Sequence, residues 1–417
     1  MSTPASPHPT FDAIRAALQL PDTFAPCGRG WDESQARYAR EGDGFLSREF
    51  AETTCAFLRM APQVAEAFRH ALPLLHGNDA LMRLAWHGRE VLCRHAEDNT
   101  CSLGDWPPLP DALGEAGRMF YAFVFLSGTP RLRQLHAARG IPEEVTADTL
   151  QDIEVWMRTH EQEHGCLGFE HNDWMMNRFR EQLYQLGRLQ FDLSHQKHNY
   201  HAFRNRETLE VMVLAGDGMR FRADGQCADA DGTVAVDGTW TAHLHRDETS
   251  ICGCPVTRDG AARNEAVTLP SDQWECVLAP GDPVLYVHIP ASGPLDHAAC
   301  VASYQRALAF FPQYVPEHPF KAFITGTWLL DPQLREYLSA SSNIVRFQRD
   351  WYILPMLGAN DHQTIERVFG WSVDDPRSFP AKNSLQRAVI AHMDAGGHWR
   401  GACGLILPSD IGRTVTG

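Results

Sequence analysis

The sequence predicts an α/β (α+β) protein, in which a helical N-terminal domain precedes a mixed-sheet domain with a β-rich insertion. The hydrophobic period changes after Gln185, from the three- and four-residue steps of amphipathic helices to short strand-like runs. Beyond this point strands alternate with helices, which favours parallel or mixed sheets. We therefore place the domains at residues 1–145 and 146–417, with the insertion at about 208–280.

The N-terminal third is predicted to be helical. Asn78 stands where an N-cap belongs and Gly140 where a helix stops, and a further helix starts near Thr146 and ends at Gly165. Another helix is predicted over "NDWMMNRFREQLYQ". Three stretches carry apolar residues at helical spacing: "SREFAETTCAFLRMAPQVAEAFRHALPLLH", "NDALMRLAWHGREVLCRHA" and "LGEAGRMFYAFVFLSGTPRLRQLHAARG".

The remainder of the chain is predicted to contain most of the strands. "LGRLQFDL" and "ETLEVMVLA" are typical of strands, and the Asp-Gly pairs of the insertion favour hairpin turns. "DPVLYVHIP" predicts a buried strand, followed by a helix from about Asp296, a strand over "FKAFITGTWLL" and a helix over "DPQLREYLSASS". The last predicted elements are a long strand "NIVRFQRDWYILPML" beginning at Asn343, two helices, and the strand "WRGACGLILP".

Composition narrows the range of partners. The chain has 417 residues and a formal net charge of −15 without a basic run, which argues against binding to nucleic acid or to an anionic membrane. Neither a signal peptide nor a membrane span is predicted. Eleven scattered cysteines indicate reduced thiols in a cytoplasmic protein, and we interpret Cys252, Cys254 and Cys276 as buried thiols. We expect a small-molecule substrate, and no pattern predicts the oligomeric state.

The stretch "HEQEH", His160 to His164, matches the H-E-x-x-H pattern of zinc hydrolases, in which two imidazoles on one helix face share a metal ion. Gly165 follows the second histidine and should end the helix there. The longer H-E-x-x-H-x-x-G-x-x-H pattern is not met, because Gly168 and His171 each come one place late. We therefore expect no bound metal, and a zinc-dependent hydrolase remains an alternative function.

Five further stretches carry a resemblance to a known family: "LYQLGRLQF", "GDPVLYVHIPASGPL", "SYQRALAFF", "TWLLDPQL" and "SNIVRF". They resemble bacterial GNAT-like acyltransferases, which have a helical N-terminal domain before a C-terminal domain of the acyl-CoA N-acyltransferase fold. The resemblance covers most of the chain, above all residues 150–356. It implies transfer of an acyl group from acyl-CoA, as co-substrate, to an acceptor, for which we expect an amine.

The resemblance also implies where the site lies. An acyl thioester would enter between two splayed strands, Val284–Ile289 and Phe320–Leu330, with the pyrophosphate at the start of the following helix. From its position on an otherwise apolar strand, His288 is either a buried, hydrogen-bonded histidine or the general base, and the resemblance implies that Tyr337 would protonate the departing thiolate. The residues implied in CoA binding are Ile289, Ala291, Ser292, Gly293, Leu295, Ser303 and Trp328.

One departure from the wider superfamily concerns the phosphate loop. The loop "PASGPL" has a single glycine and two prolines without N–H donors, so we expect a weaker or different grip on the pyrophosphate. Arg188 and Gln190 share one strand face, and Arg188 could meet a carboxylate or phosphate, or form a surface ion pair. A non-catalytic ligand-binding protein on the same scaffold is the second alternative.

Overall fold

The structure is a computed structural model that describes residues 8–38, 44–94, 102–228, 238–357, 361–370, 373 and 375–411. The chain forms two compact units. The first extends to Leu186 and includes residues 290–292, and the second comprises residues 187–289 and the chain from Gly293 onward.

The first unit is helical, as predicted. Its core surrounds one long helix whose residues between Ala116 and Thr129 are almost all buried, because this stretch is apolar on every side. Gly140 adopts a left-handed conformation, φ 74°, and ends that helix. The helices are α1 (Phe11–Ala17), α2 (Trp31–Tyr38), α3 (Arg48–Phe57), α4 (Pro62–His76), α5 (Asp79–Arg94), α6 (Gly114–Arg139), α7 (Glu143–Leu150), α8 (Asp152–His164) and α9 (Asn172–Phe179), followed by strand β1 (Leu183–Leu186).

Close packing in this core depends on a glycine of α6. A Cβ atom on Gly128 would lie 2.6 Å from Leu92 of α5 and 2.6 Å from Phe179 of α9. Since real side chains do not approach this closely, the residue allows three helices to meet. The prediction assigned α8 and α9 to the second domain, whereas Ile153, Met157 and other residues of these helices lie in the helical core, so the first unit extends past residue 145.

The second unit is built on a mixed sheet. Five of its strands lie in the order β2–β12–β13–β15–β14, where β12 and β13 are parallel and the other neighbours are antiparallel. These strands are β2 (Leu189–His195), β12 (Pro283–His288), β13 (Phe323–Thr327), β14 (Tyr352–Pro355) and β15 (Ala402–Ile406). The helices of the unit are α10 (His297–Tyr314), α11 (Leu334–Tyr337), α12 (Asn343–Asp350), α13 (Asp361–Phe369) and α14 (Ser384–Asp394).

Within the described residues, the β-rich insertion and the strand β3 that precedes it form three small sheets. Their strand orders are β11–β3–β4–β9, β10–β8–β7 and β5–β6. The strands are β3 (Tyr200–Asn205), β4 (Val211–Ala215), β5 (Arg220–Phe221), β6 (Trp240–Thr241), β7 (Leu244–Arg246), β8 (Ser250–Gly253), β9 (Pro255–Val256), β10 (Val267–Pro270) and β11 (Trp274–Leu278).

Two predicted elements near the C-terminus differ from the structure. Asn343 does not begin a strand but is the first residue of α12, since the Ser342 hydroxyl accepts a hydrogen bond from the Val345 amide and caps the helix. The apolar residues of this segment follow helical spacing, and only β14 is extended. The predicted strand over 320–330 is limited to β13, because residues 328–330 form a 3₁₀ turn.

None of the helices in the described part of the chain combines the length and apolarity needed to cross a lipid bilayer.

Candidate active site

Strands β12 and β13 are paired along only part of their length. Toward β2, β12 is paired from its first residue to its last, whereas its pairing with β13 ends at Tyr286 and Ile324. Beyond this point the Thr325 hydroxyl donates to the Val287 carbonyl, at 2.8 Å. The main-chain pairing of the two parallel strands therefore stops before their carboxyl ends, and a side-chain hydrogen bond joins the strands at the next position.

The main chain at the end of β12 supplies candidate donors. The Leu285 amide donates to the Ala322 carbonyl on the β13 side, at 3.0 Å. Because strand amides alternate in direction, the Val287 amide faces the same side. Ile289 follows the last residue of β12, and its N–H is the candidate donor nearest the loop.

The connection from β12 to α10 carries the predicted phosphate loop. Asp296 is the N-cap of α10, and its carboxylate accepts from the Ala299 amide at 2.9 Å. It already satisfies one N-terminal amide and places a negative charge beside the others. The loop before Asp296 contains the predicted residues Ala291, Ser292, Gly293 and Leu295, which lie outside helices and strands.

Arg188 holds the second half of this loop. Its Nε atom donates to the Pro294 carbonyl and its Nη2 atom to the Gly293 carbonyl, both at 2.8 Å. Burial lowers the pKa of the guanidinium. Arg188 therefore holds the loop through two main-chain carbonyls. The sequence analysis expected a surface ion pair or a ligand contact instead. Gly293 can adopt the required φ of 148° because it lacks a side chain.

The Ser303 hydroxyl also forms hydrogen bonds with main-chain groups of the protein. It is fully buried, its hydroxyl accepts from the Arg188 amide at 2.8 Å, and it donates to the Ala299 carbonyl at 2.9 Å. These two bonds give Ser303 a structural role in joining α10 to the start of β2.

His288 is the last residue of β12 and is partly exposed. Its Nε2 atom lies 3.9 Å from the Oδ2 atom of Asp192 on β2, and its ring lies 4.9 Å from that of Tyr286. The pair has the chemistry of a general base with a supporting acid group.

A second group of polar side chains lies on the same sheet face. In the strand registers Tyr286 is opposite Asp192, and Gly326 is opposite Cys403. The Tyr286 hydroxyl donates to the Gly326 carbonyl at 3.3 Å, and burial raises the pKa of Tyr286 to about 12. The phenol therefore stays protonated at neutral pH.

His198, in the turn between β2 and β3, contacts Cys403 on this face of the sheet. Its Nε2 atom lies 3.0 Å from the Cys403 sulfur. Burial lowers the pKa of His198 and raises that of Cys403, so that both groups are neutral near pH 7.

Tyr337 belongs to a different cluster. Its hydroxyl lies 3.1 Å from the Nδ1 atom of His392, and its ring contacts Trp399. Trp328, in the turn after β13, packs against the same cluster, and its amide donates to Gln363 at 3.1 Å. Trp328 thus joins this cluster to the carboxyl end of β13, which it follows directly in the chain.

Sequence reasoning missed Asp192, Tyr286, His198 and Cys403. Asp192 and Tyr286 could have been found from the alternation of strand residues, since both share a face with His288 once β2 and β12 are aligned. His198 and Cys403 are 205 positions apart, and no local pattern joins them.

Comparison with protein families gives matches over nearly the whole described chain. Residues 49–180 match the N-acyltransferase N-terminal domain, and residues 183–406 match the GNAT-like C-terminal domain. No curated protein sequence matches the chain significantly.

Several solved structures are similar over almost their full length. One is an acyltransferase in complex with decanoyl-CoA and teicoplanin, with 27% identity and a TM-score of 0.66 over 95% of this chain and 98% of that one. A mutant acyltransferase in complex with octanoyl-CoA has 26% identity and a TM-score of 0.64 over the same shares. An acyltransferase with CoA and 10C-teicoplanin gives the same values.

Fold and comparisons together define the class of protein as an acyltransferase. The chain belongs to the family with an N-acyltransferase N-terminal domain and a GNAT-like C-terminal domain.

Proposed function

We propose that this acyltransferase moves an acyl group from acyl-CoA to an amine of a small-molecule acceptor, with the thioester held between β12 and β13. The observation that carries the proposal is the early end of the β12–β13 pairing, with α10 beginning shortly after β12. A gap in the pairing of parallel strands can take the pantetheine and acyl chain, and main-chain amides of the loop before the helix can take phosphate.

Acyl-CoA as donor is supported by similar proteins. Acyltransferases 25% to 27% identical to this chain were crystallised with decanoyl-CoA or octanoyl-CoA. These acyl groups are the first donors to test. Teicoplanin is the first acceptor to test, because one of these proteins was crystallised with it.

In the proposed complex the Ile289 amide donates to the thioester carbonyl, where negative charge develops during attack. The amides of Ala291, Ser292, Gly293 and Leu295 contact the pyrophosphate. Pro290 and Pro294 offer no N–H, and Asp296 repels phosphate near the helix start, so the grip depends on these few donors. Trp328, beside the end of β13, is proposed to contact the pantetheine arm.

The proposed chemistry needs one base and one acid. The acceptor nitrogen attacks the thioester carbon, and His288 takes the nitrogen's proton while Asp192 stabilises the resulting imidazolium. The tetrahedral intermediate then collapses, the C–S bond breaks, and the new amide is left. Tyr337 donates a proton to the CoA sulfur and, being 37% exposed, regains one from solvent, while the His288 imidazolium gives its proton up to solvent.

The experiment measures CoA release with a thiol reagent, using octanoyl-CoA and decanoyl-CoA with and without teicoplanin. The acylated acceptor is identified by mass spectrometry. Acceptor-dependent release that falls in a His288→Ala variant supports the proposal. The proposal would be overturned if acyl-CoA bound tightly but no CoA were released with teicoplanin or with a panel of other amines. The protein would then be a non-catalytic binding protein.

A further inference from the structure

Three possible metal ligands come together in the first unit, and nothing in the acyltransferase chemistry requires them. One donor atom from each of His160, His164 and Glu170 lies within 4.8 Å of the other two. Oε1 of Glu170 is 3.5 Å from Nε2 of His160, and its Oε2 is 3.8 Å from Nε2 of His164. We propose that these side chains bind one divalent transition-metal ion of the zinc class.

The chain builds this cluster from a helix end and a returning loop. Residues four apart on α8 place His160 and His164 on one face, with ring centroids 4.4 Å apart. Gly165 ends the helix in a left-handed conformation, φ 73°, and turns the chain back. The loop then brings Glu170 to the two imidazoles.

Glu170 is the third ligand that the sequence analysis did not find. The longer zinc pattern requires a third histidine, and His171 is out of register with it. In the structure the ring of His171 lies on that of Trp156, with the ring centroids 3.8 Å apart. The short loop after Gly165 reaches the cluster one residue earlier, with a carboxylate. Two histidines and a glutamate are a known zinc ligand set.

Gly168 allows the loop to pass over His160. A Cβ atom there would lie 2.5 to 2.8 Å from Cε1, Nε2 and Nδ1 of the imidazole. Nearly equal distances to three ring atoms place the loop over the ring's face. The lone pair of Nε2 lies in the ring plane and is left open toward Glu170.

The hydrogen bonding of His160 also suits a metal. Its Nδ1 atom donates to the Cys166 carbonyl at 2.8 Å, because a carbonyl only accepts. Nε2, the other ring nitrogen, is the one that lies nearest Glu170. Metal-binding histidines are oriented by such a bond from their other nitrogen.

The separations fit a shared ion better than direct hydrogen bonds. Distances of 3.5 Å and 3.8 Å exceed the usual range for an N–H···O bond, which is about 2.7–3.2 Å. Two ligand atoms on one tetrahedral zinc ion, each about 2.0–2.1 Å from it, are about 3.3 Å apart. These two separations exceed that value by about half an ångström or less, and the half-exposed side chains of His164 and Glu170 can move to complete the site.

The site is proposed to be structural. The glutamate beside the first histidine, which activates water in zinc hydrolases, is Glu161, and its carboxylate lies 3.8 Å from Nη1 of Arg158. A bound ion would instead tie the end of α8 to the loop that leads to α9. This inference does not depend on the proposed acyl transfer.

The test uses the full-length protein after removal of metal with a chelator. Zinc chloride is titrated by calorimetry into wild type, His164→Ala and Glu170→Gln, whose substituted side chains are about half exposed. His70→Ala is the matched control, since His70 forms an exposed pair with Glu115 in the same unit, at 2.9 Å. Circular dichroism checks that each variant is folded.

We expect one zinc per chain in wild type and in the control, and affinity lower by at least about tenfold in the two ligand variants. Zinc should raise the melting temperature of wild type and not that of His164→Ala. Failure of wild type to bind zinc overturns the proposal, as does equal binding by wild type and both ligand variants.

Discussion

Nε2 of His288 lies 3.9 Å from Oδ2 of Asp192, across the antiparallel pair β12–β2 and beside the place where β12 separates from β13. The ring belongs to the last residue of β12, and Ile289, the proposed donor to the thioester carbonyl, follows it in the chain. Strand β12 thus supplies the proposed base, and β2 supplies the carboxylate beside it. Ile289 supplies the proposed donor to the thioester carbonyl.

Removing the proposed base should reduce the chemical step. We expect His288→Ala to lower kcat for acyl transfer by about a hundredfold or more, because a lost general base usually costs 10²–10⁴. Asp192→Asn should lower kcat by a smaller factor, since the imidazole remains. His245→Ala is the control, an exposed histidine on β7 that should leave CoA release unchanged. Wild-type kcat in His288→Ala would refute the assignment.

The two phenols should differ in their effects. Tyr337→Phe removes the proposed proton donor and should lower kcat by about a hundredfold. Tyr286→Phe removes a hydrogen bond to the Gly326 carbonyl and should lower kcat by less than about tenfold, because the net worth of such a bond is about 1 kcal/mol. The reverse order, measured by thiol release under saturating substrates, would identify Tyr286 as the acid.

Arg188 should act on acyl-CoA binding. Arg188→Ala removes two hydrogen bonds that hold the carbonyls of Gly293 and Pro294, so the loop amides lose their fixed positions. We expect the KM for acyl-CoA to rise by about tenfold or more while kcat changes little, since hydrogen bonds of charged groups contribute about 1.5–3 kcal/mol. Arg206→Ala, on the surface beside Glu275, is the control. A fall in kcat with unchanged KM would argue against a loop-holding role.

Gly326 should tolerate a side chain poorly. A Cβ atom there would lie 2.7 Å from the Tyr286 hydroxyl and 3.2 Å from the Met356 sulfur. We expect Gly326→Ala to lower the free energy of unfolding by about 1–3 kcal/mol, the usual cost of overpacking. Urea denaturation of the double variant with Tyr286→Phe should recover part of this loss. Strictly additive effects would show that the contact is not the cause.

Acid should destabilise the first unit through His136. This side chain is 1% exposed, and burial lowers its pKa from 6.5 to about 4. Between pH 6.5 and pH 4 the imidazole is protonated in the unfolded chain and neutral in the folded chain. The free energy of unfolding is therefore largest above pH 6.5 and falls as the pH falls toward 4. Between pH 7 and pH 5 this amounts to about 2 kcal/mol.

The test compares unfolding of wild type and His136→Gln at these two pH values. We expect a smaller loss of stability on acidification in the variant. An equal loss in both proteins would mean that other groups cause the acid sensitivity.

The broad fold could be predicted because its main signals are local. The change of hydrophobic period after Gln185 separates helices from strands, and the resemblance correctly implied the acyltransferase class. The segment from Asn343 was misread because its apolar residues suit both a strand and an amphipathic helix, and the cap at Ser342 decides between them. Local pattern could not join His198 to Cys403 or Glu170 to His160, since both contacts depend on how the chain turns back.

The most direct test of the central claim is a crystal structure of the protein with decanoyl-CoA bound. We predict electron density for the acyl thioester between β12 and β13, with its carbonyl oxygen within hydrogen-bonding distance of the Ile289 amide and the pyrophosphate at the loop before α10. Decanoyl-CoA bound elsewhere, with β12 and β13 lacking any space between them, would contradict the account.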